Sequence, residues 1–182
     1  MPLYRFAGYT PTVGSGSYVS PLAAVIGDVH IGENCYIGHG VIIRGDYGKI
    51  IIGSGSAVEE GVIVHAPPQG VSQIGKGVII GHGAIIHSEN IADNAVIGMG
   101  AILSTHSTVS EWAIVAEGCV VRNRQCIPEK VVAAGNPASV VRTVQQRDID
   151  FWTWGKQLYV NLAGQYLKDD LELISLPISP PQ

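Results

Sequence analysis

Valine, isoleucine or leucine returns at every sixth position through most of this chain, a period that a stacked, repeating architecture sustains and a single packed layer does not. Val13, Val19, Val25, Ile31, Ile37 and Ile43 open the series. After a three-residue excess it continues with Ile52, Val58 and Val64, and after a four-residue excess with Ile74, Ile80 and Ile86. One residue is then dropped, and Ile91, Ile97, Leu103, Val109, Val115, Val121 and Ile127 complete it. Two residues before most anchors stands a second small or aliphatic side chain: Ala23, Val29, Cys35, Val41, Ser56, Val62, Val78, Ala84, Ala95, Ala101, Ala113 or Cys119. Alternation of period two inside a six-residue unit describes a short strand with an inward pair, and the glycine that follows many anchors suits a tight corner. Three such units close a triangular coil of about eighteen residues, and coils stack about 4.8 Å apart, as strands of any parallel sheet do. One coil has no core, but a stack of them does.

The fold class expected is all-β. The spacing resembles that of the left-handed parallel β-helix of hexapeptide repeats, and the hand follows from that resemblance. With 182 residues, 46% of them hydrophobic and 14% charged, the chain suits one well-buried domain. Beyond Ile127 the repeat decays into turn signals at Pro128 and Gly135-Asn136-Pro137. From Ser139 to Lys168, Val140, Val141, Val144, Ile149, Trp152, Tyr159, Leu162 and Tyr166 recur at helical spacing, with Gly155 and Gly164 as weak points. The expected organisation is a β-helix over 1–138, a C-terminal α-helix packed on the prism over 139–170, and a frayed tail over 171–182.

A net charge of −4, a pI near 5.8 and the lack of a basic cluster argue against nucleic acid or an anionic membrane as partner. No stretch has the length of a membrane span and the first residues carry no secretory pattern, so a cytoplasmic protein is expected. Of three cysteines, Cys35 and Cys119 fall at inward positions and Cys126 outward, which reads as packing rather than a disulfide framework.

The repeat also places distant residues relative to one another. Ile43, Val64 and Ile86 are three units apart once the excesses are allowed for, so Arg44, His65 and His87, each one residue later, form a column at one strand spacing. Two imidazoles so stacked can share a metal ion, whose nitrogen ligands lie at about 2.0–2.1 Å in the case of zinc. A third candidate, His82, follows Ile80 by two residues and lies on another face of the prism. A homotrimer packing prisms side by side can bring it against His65 and His87, leaving a fourth position open. Taken singly, each histidine reads as an exposed or hydrogen-bonded surface residue, and it is the register of two on adjacent coils that sets the metal reading beside it. His30, His39 and His106 have no imidazole partner in register.

Arg44-Gly45-Asp46, then Glu60-Gly61-Val62-Ile63-Val64-His65, then Ile80-Gly81-His82-Gly83-Ala84-Ile85-Ile86-His87 resemble the γ-class carbonic anhydrases and their relatives, over nearly the whole chain. The resemblance implies a trimeric enzyme that interconverts carbon dioxide and bicarbonate, with zinc, or iron or cobalt, held by His65 and His87 of one subunit and His82 of another. It also implies an Arg44–Asp46 pair across the seam, and Tyr159 and Asn161 beside the metal site. Where active members carry a glutamine six residues before the first ligand this chain has Glu59, the candidate for orienting the attacking water. The asparagine expected two residues earlier is Ala57, the acidic residue after the RGD is Tyr47, and the acidic shuttle loop is reduced to Ala66–Gln73, which holds no carboxylate. Hexapeptide prisms also resemble coenzyme A-dependent acyltransferases and PaaY-type proteins, so acyl transfer or thioester hydrolysis is the second expectation. A metal-stabilised assembly module without catalysis is the third.

Overall fold

The computed structural model describes residues 2–169 and 171; the expected tail therefore lies outside the described residues except for Leu171. Among the described residues there are twenty β-strands and one α-helix, and most strands are two residues long. Every strand but the last, Ser139–Thr143, pairs in parallel with the strand one coil away, which produces three stacked faces. The first face carries Leu3–Tyr4, the leading parts of Ala24–Ile31 and Ile42–Ile52, then Ile63–His65, Ile85–Ile86, Ile102–Leu103 and Val120–Val121. The second carries Thr12–Val13, the trailing parts of the two long strands, Val71–Ile74, Asn90–Ile91, Thr108–Val109 and Cys126–Ile127. The third runs from Tyr18–Val19 through Tyr36–Ile37, Ala57–Val58, Ile79–Ile80, Val96–Ile97 and Ile114–Val115 to Val131–Ala134. The chain is thus the parallel β-helix that the six-residue period predicts.

The physical reason lies in the alternation. Anchors such as Ile37, Ile43, Ile80 and Ile86 and their partners two residues earlier, Cys35, Val41, Val78 and Ala84, are wholly buried in one continuous core. Coils approach closely enough that a Cβ at Gly53 would lie 2.5 Å from the Gly75 carbonyl carbon, which explains the glycine after the anchor. Ile80 is 0% exposed, so Ile80→Ala leaves a cavity in a core without slack and lowers unfolding stability by about 2–5 kcal/mol, measurable by denaturant titration.

The exit from the stack differs from the expected helix over Ser139–Lys168. Ser139–Thr143 forms a strand antiparallel to Val131–Ala134, and the helix runs from Gln146 to Lys168. The turn at Gly135–Pro137 reverses the chain, and the backbone groups of the last coil then find partners in Ser139–Thr143, whose residues are all exposed. Asp148 secures the helix start by accepting from the Gln145 backbone N–H (2.8 Å) and from Arg142, contacts that push its carboxyl down to about 2.

The helix lies along the third face. Trp152, Tyr159, Leu162 and Tyr166 pack on the outward side chains Tyr18, Tyr36, Ile79 and Val96, which offsets the low propensity of Gly155 and Gly164. Lys156 pins it further: its Nζ sits 4.0 Å from the Trp112 ring centroid and donates to the Asn94 carbonyl at 2.9 Å, while burial lowers its amine to about 8. No described helix is long and apolar enough to cross a membrane. With the third face covered, the first and second faces stay open, and the first carries the histidine column.

Candidate metal centre

On the first face Arg44 pairs in register with His65, and Val64 with Ile86, which puts His87 one coil beyond His65. The two imidazoles meet edge to face with centroids 5.0 Å apart. The inserted residues at the corner, Gly45 to Gly48, let Asp46 fold back under the column. Its Oδ1 lies 3.1 Å from His65 Nε2, and its Oδ2 accepts from Arg44 Nη2 at 2.9 Å and Nε at 3.2 Å. Burial by itself would raise the Asp46 carboxyl, but the Arg44 guanidinium, with a smaller contribution from His65, outweighs it and holds the group below the usual carboxylate range. His87 is pushed down by burial first and then by the charges of His65 and Arg44, which favours the neutral imidazole that a metal ligand must be.

His82 stands elsewhere, at the corner that leads from the third face to the first. Its Nε2 lies 3.1 Å from Glu59 Oε2 and its Nδ1 2.9 Å from Glu60 Oε2, and its backbone N–H donates to Glu59 at 3.2 Å. Glu59 is only 6% exposed, at a position taken by Gly38, Gly81 and Gly98 in neighbouring coils. Tyr159, from the helix, is set against Glu59, and burial together with that carboxylate drives its phenol upward. Asn161 is exposed on the helix and accepts from Gln157 at 2.9 Å, apart from this cluster. A cleft of about 250 Å³ opens beside Glu59, His82 and Tyr159, walled by Met99, Trp154 and Leu158.

Sequence reasoning passed over Glu60 and Tyr36. The Tyr36 hydroxyl donates to Glu60 Oε1 at 2.6 Å. Burial would raise the Glu60 carboxyl, yet this bond and the nearby His82 leave it below the usual range. Counting could have found Glu60, since it and His82 each follow paired anchors, Val58 and Ile80, by two residues. Tyr36 had no such signal, because it reaches Glu60 by the length of its side chain.

Within one chain no three His, Cys, Asp or Glu side chains converge on a point among the described residues. The donors present nevertheless fit a divalent metal. Two imidazoles are adjacent, and one of them has its Nε2 on a carboxylate, the outer-shell arrangement that commonly fixes a ligating histidine.

Residues 10–45 match the bacterial transferase hexapeptide (six repeats) family. The mitochondrial γ carbonic anhydrase 2 of Arabidopsis thaliana is 36% identical over 85% of this chain, which spans 58% of that protein's length. The carnitine operon protein CaiE of Escherichia coli K12 is 32% identical over 91% of this chain and 84% of its own. The chain belongs to the hexapeptide-repeat family of γ carbonic anhydrases and CaiE. Among solved structures, a hexapeptide transferase family protein from Anaplasma phagocytophilum superposes with a TM-score of 0.86 at 32% identity, covering 91% of this chain and 98% of that one. Its relatives thus carry both carbonic anhydrase and transferase names.

Proposed function

We propose that three copies assemble around the open first face into a metal-dependent carbonic anhydrase-like enzyme of the cytoplasm, with His65 and His87 of one subunit and His82 of the next as ligands. The observation that carries this reading is the juxtaposition on that face. Ile42, Ile63, Ile85 and Ile102 stand in register one above another, outward and 37%, 37%, 39% and 38% exposed, on the strands that bear His65 and His87 or flank them. Such a column of isoleucines beside paired histidines is what a self-associating seam with a site at its edge requires.

A divalent cation bound there supplies the Lewis acidity that makes water nucleophilic near pH 7. The rest of the chemistry belongs to side chains. Asp46 fixes the His65 ring, and Arg44 places a positive charge where anionic bicarbonate forms. Glu59, sequestered from bulk water and steadied by Tyr159, accepts the hydrogen bond of the attacking water and so orients it. Asn161, bonded to Gln157 on the exposed side of the helix, takes no part in this cluster within the single chain. Ala66–Gln73 holds no carboxylate to carry the proton away, and external buffer is the acceptor in this reading.

Stopped-flow hydration on trimer reconstituted separately with zinc and with iron tests the reading. The expected result is metal-dependent turnover that climbs with buffer concentration. A metal-loaded trimer that leaves hydration at the uncatalysed rate overturns catalysis and leaves the assembly reading. The apolar cleft beside Glu59 favours acyl transfer or thioester hydrolysis as the second reading, for which coenzyme A would raise the melting temperature.

A further inference from the structure

Both ring nitrogens of His82 are engaged within its own chain, Nδ1 by Glu60 and Nε2 by Glu59. A ligand has one nitrogen to give and needs the other held, since the bond at the second nitrogen decides which way the ring points. The two carboxylates are anchored differently. Glu60 Oε2 meets Nδ1 at 2.9 Å while its Oε1 accepts the Tyr36 hydroxyl at 2.6 Å, so the carboxylate is stretched between two fixed partners. The coil beneath makes room for it: a Cβ at Gly38 would lie 2.6 Å from Glu60 Oε1. Tyr36 itself is 2% exposed and enclosed by aromatic rings, with Tyr18 at 5.8 Å on the same face and Tyr159 of the helix at 5.4 Å between centroids. Nδ1 is thus the nitrogen held at the shorter distance, by a carboxylate fixed through its other oxygen, and Nε2, at 3.1 Å from Glu59, is the nitrogen left to give.

We propose that Glu60 is the positioning residue of His82, holding Nδ1 so that Nε2 is presented to the neighbouring subunit, and that Tyr36 fixes Glu60 from beneath the C-terminal helix. The inference rests on the intersubunit metal reading above. It gives the helix a role besides covering the third face: packing on Tyr36 transmits through one phenol and one carboxylate to a metal ligand. Asp46 likewise holds a ring nitrogen of His65, although there it is Nε2 that the carboxylate engages and Nδ1 that is left. Glu59, released from Nε2 when that nitrogen is given away, becomes free for the water it is proposed to orient.

The test is zinc affinity of the full-length trimer, measured by competition with a chromophoric chelator, with melting temperature of the metal-free protein as the control for folding. Glu60→Ala should weaken zinc binding by about ten- to a hundredfold, the range for loss of an outer-shell partner. Tyr36→Phe keeps the ring packing and removes one hydrogen bond, so about a fivefold loss is expected. Glu60→Gln retains an acceptor of the same shape and should recover most of the affinity lost in the alanine variant, an outcome that a purely structural role does not produce. Wild-type zinc affinity in both Glu60→Ala and Tyr36→Phe overturns the positioning role and leaves the metal reading intact. A wild-type trimer that takes up no zinc overturns both. If Glu60→Ala does not fold, Tyr36→Phe decides the matter by itself.

Discussion

His82→Ala is expected to abolish stoichiometric metal uptake and carbon dioxide hydration while each prism stays folded. His82 lies at a corner with its ring outside the core, so its removal opens no cavity among the buried anchors. The loss at the site is much larger. Zinc binding to a complete protein site is worth on the order of 10 kcal/mol, and one ligand of three carries roughly a third of it. At 1.4 kcal/mol per tenfold, that is more than about a hundredfold in affinity. Metal analysis of the dialysed variant, beside circular dichroism and a melting curve, separates the two effects. Retention of one metal per site would show that the third ligand is another residue.

The second large effect is on assembly. Ile63 stands in the middle of the exposed isoleucine column, 37% exposed in the single chain, and Ile63→Glu is expected to turn the proposed trimer into a folded monomer. Burying an isoleucine side chain contributes about 1.5–3 kcal/mol. A carboxylate in its place forfeits that and adds several kcal/mol of desolvation, three times over about the axis. The sum exceeds what a small interface can supply, whereas the fold is spared because the side chain points away from the core that holds Val62 and Val64. Light scattering after size exclusion reads the mass directly. A trimer that persists in Ile63→Glu would move the seam to another face, and with it the reason for pairing His65 and His87 with a neighbour's His82. Metal should be lost together with the trimer.

Much of the architecture is a one-dimensional property, and for that reason it could be counted. A coil contacts only the coils above and below it, so the phase of the hexapeptide assigns Ile43, Val64 and Ile86 to one row, and the column Arg44, His65, His87 follows without any long-range information. The counting ended where the period did. Over Ser139–Thr143, valines at helical spacing compete with the open backbone of the last coil, and the unpaired strand edge won; a propensity argument contains no term for it. The extra corner residues showed only as an excess in the count, yet they are what turns Asp46 back to His65.

The amino-acid order by itself thus determined the stack, its buried rows and which outward residues share a strand position, because stacking at a fixed spacing converts sequence separation into height. Only the tertiary structure decided which face the helix would cover, that His82 is held between Glu59 and Glu60, and that Tyr36 reaches up to Glu60. Those contacts depend on side-chain length and on the packing of one element across another, and neither leaves a period in the sequence.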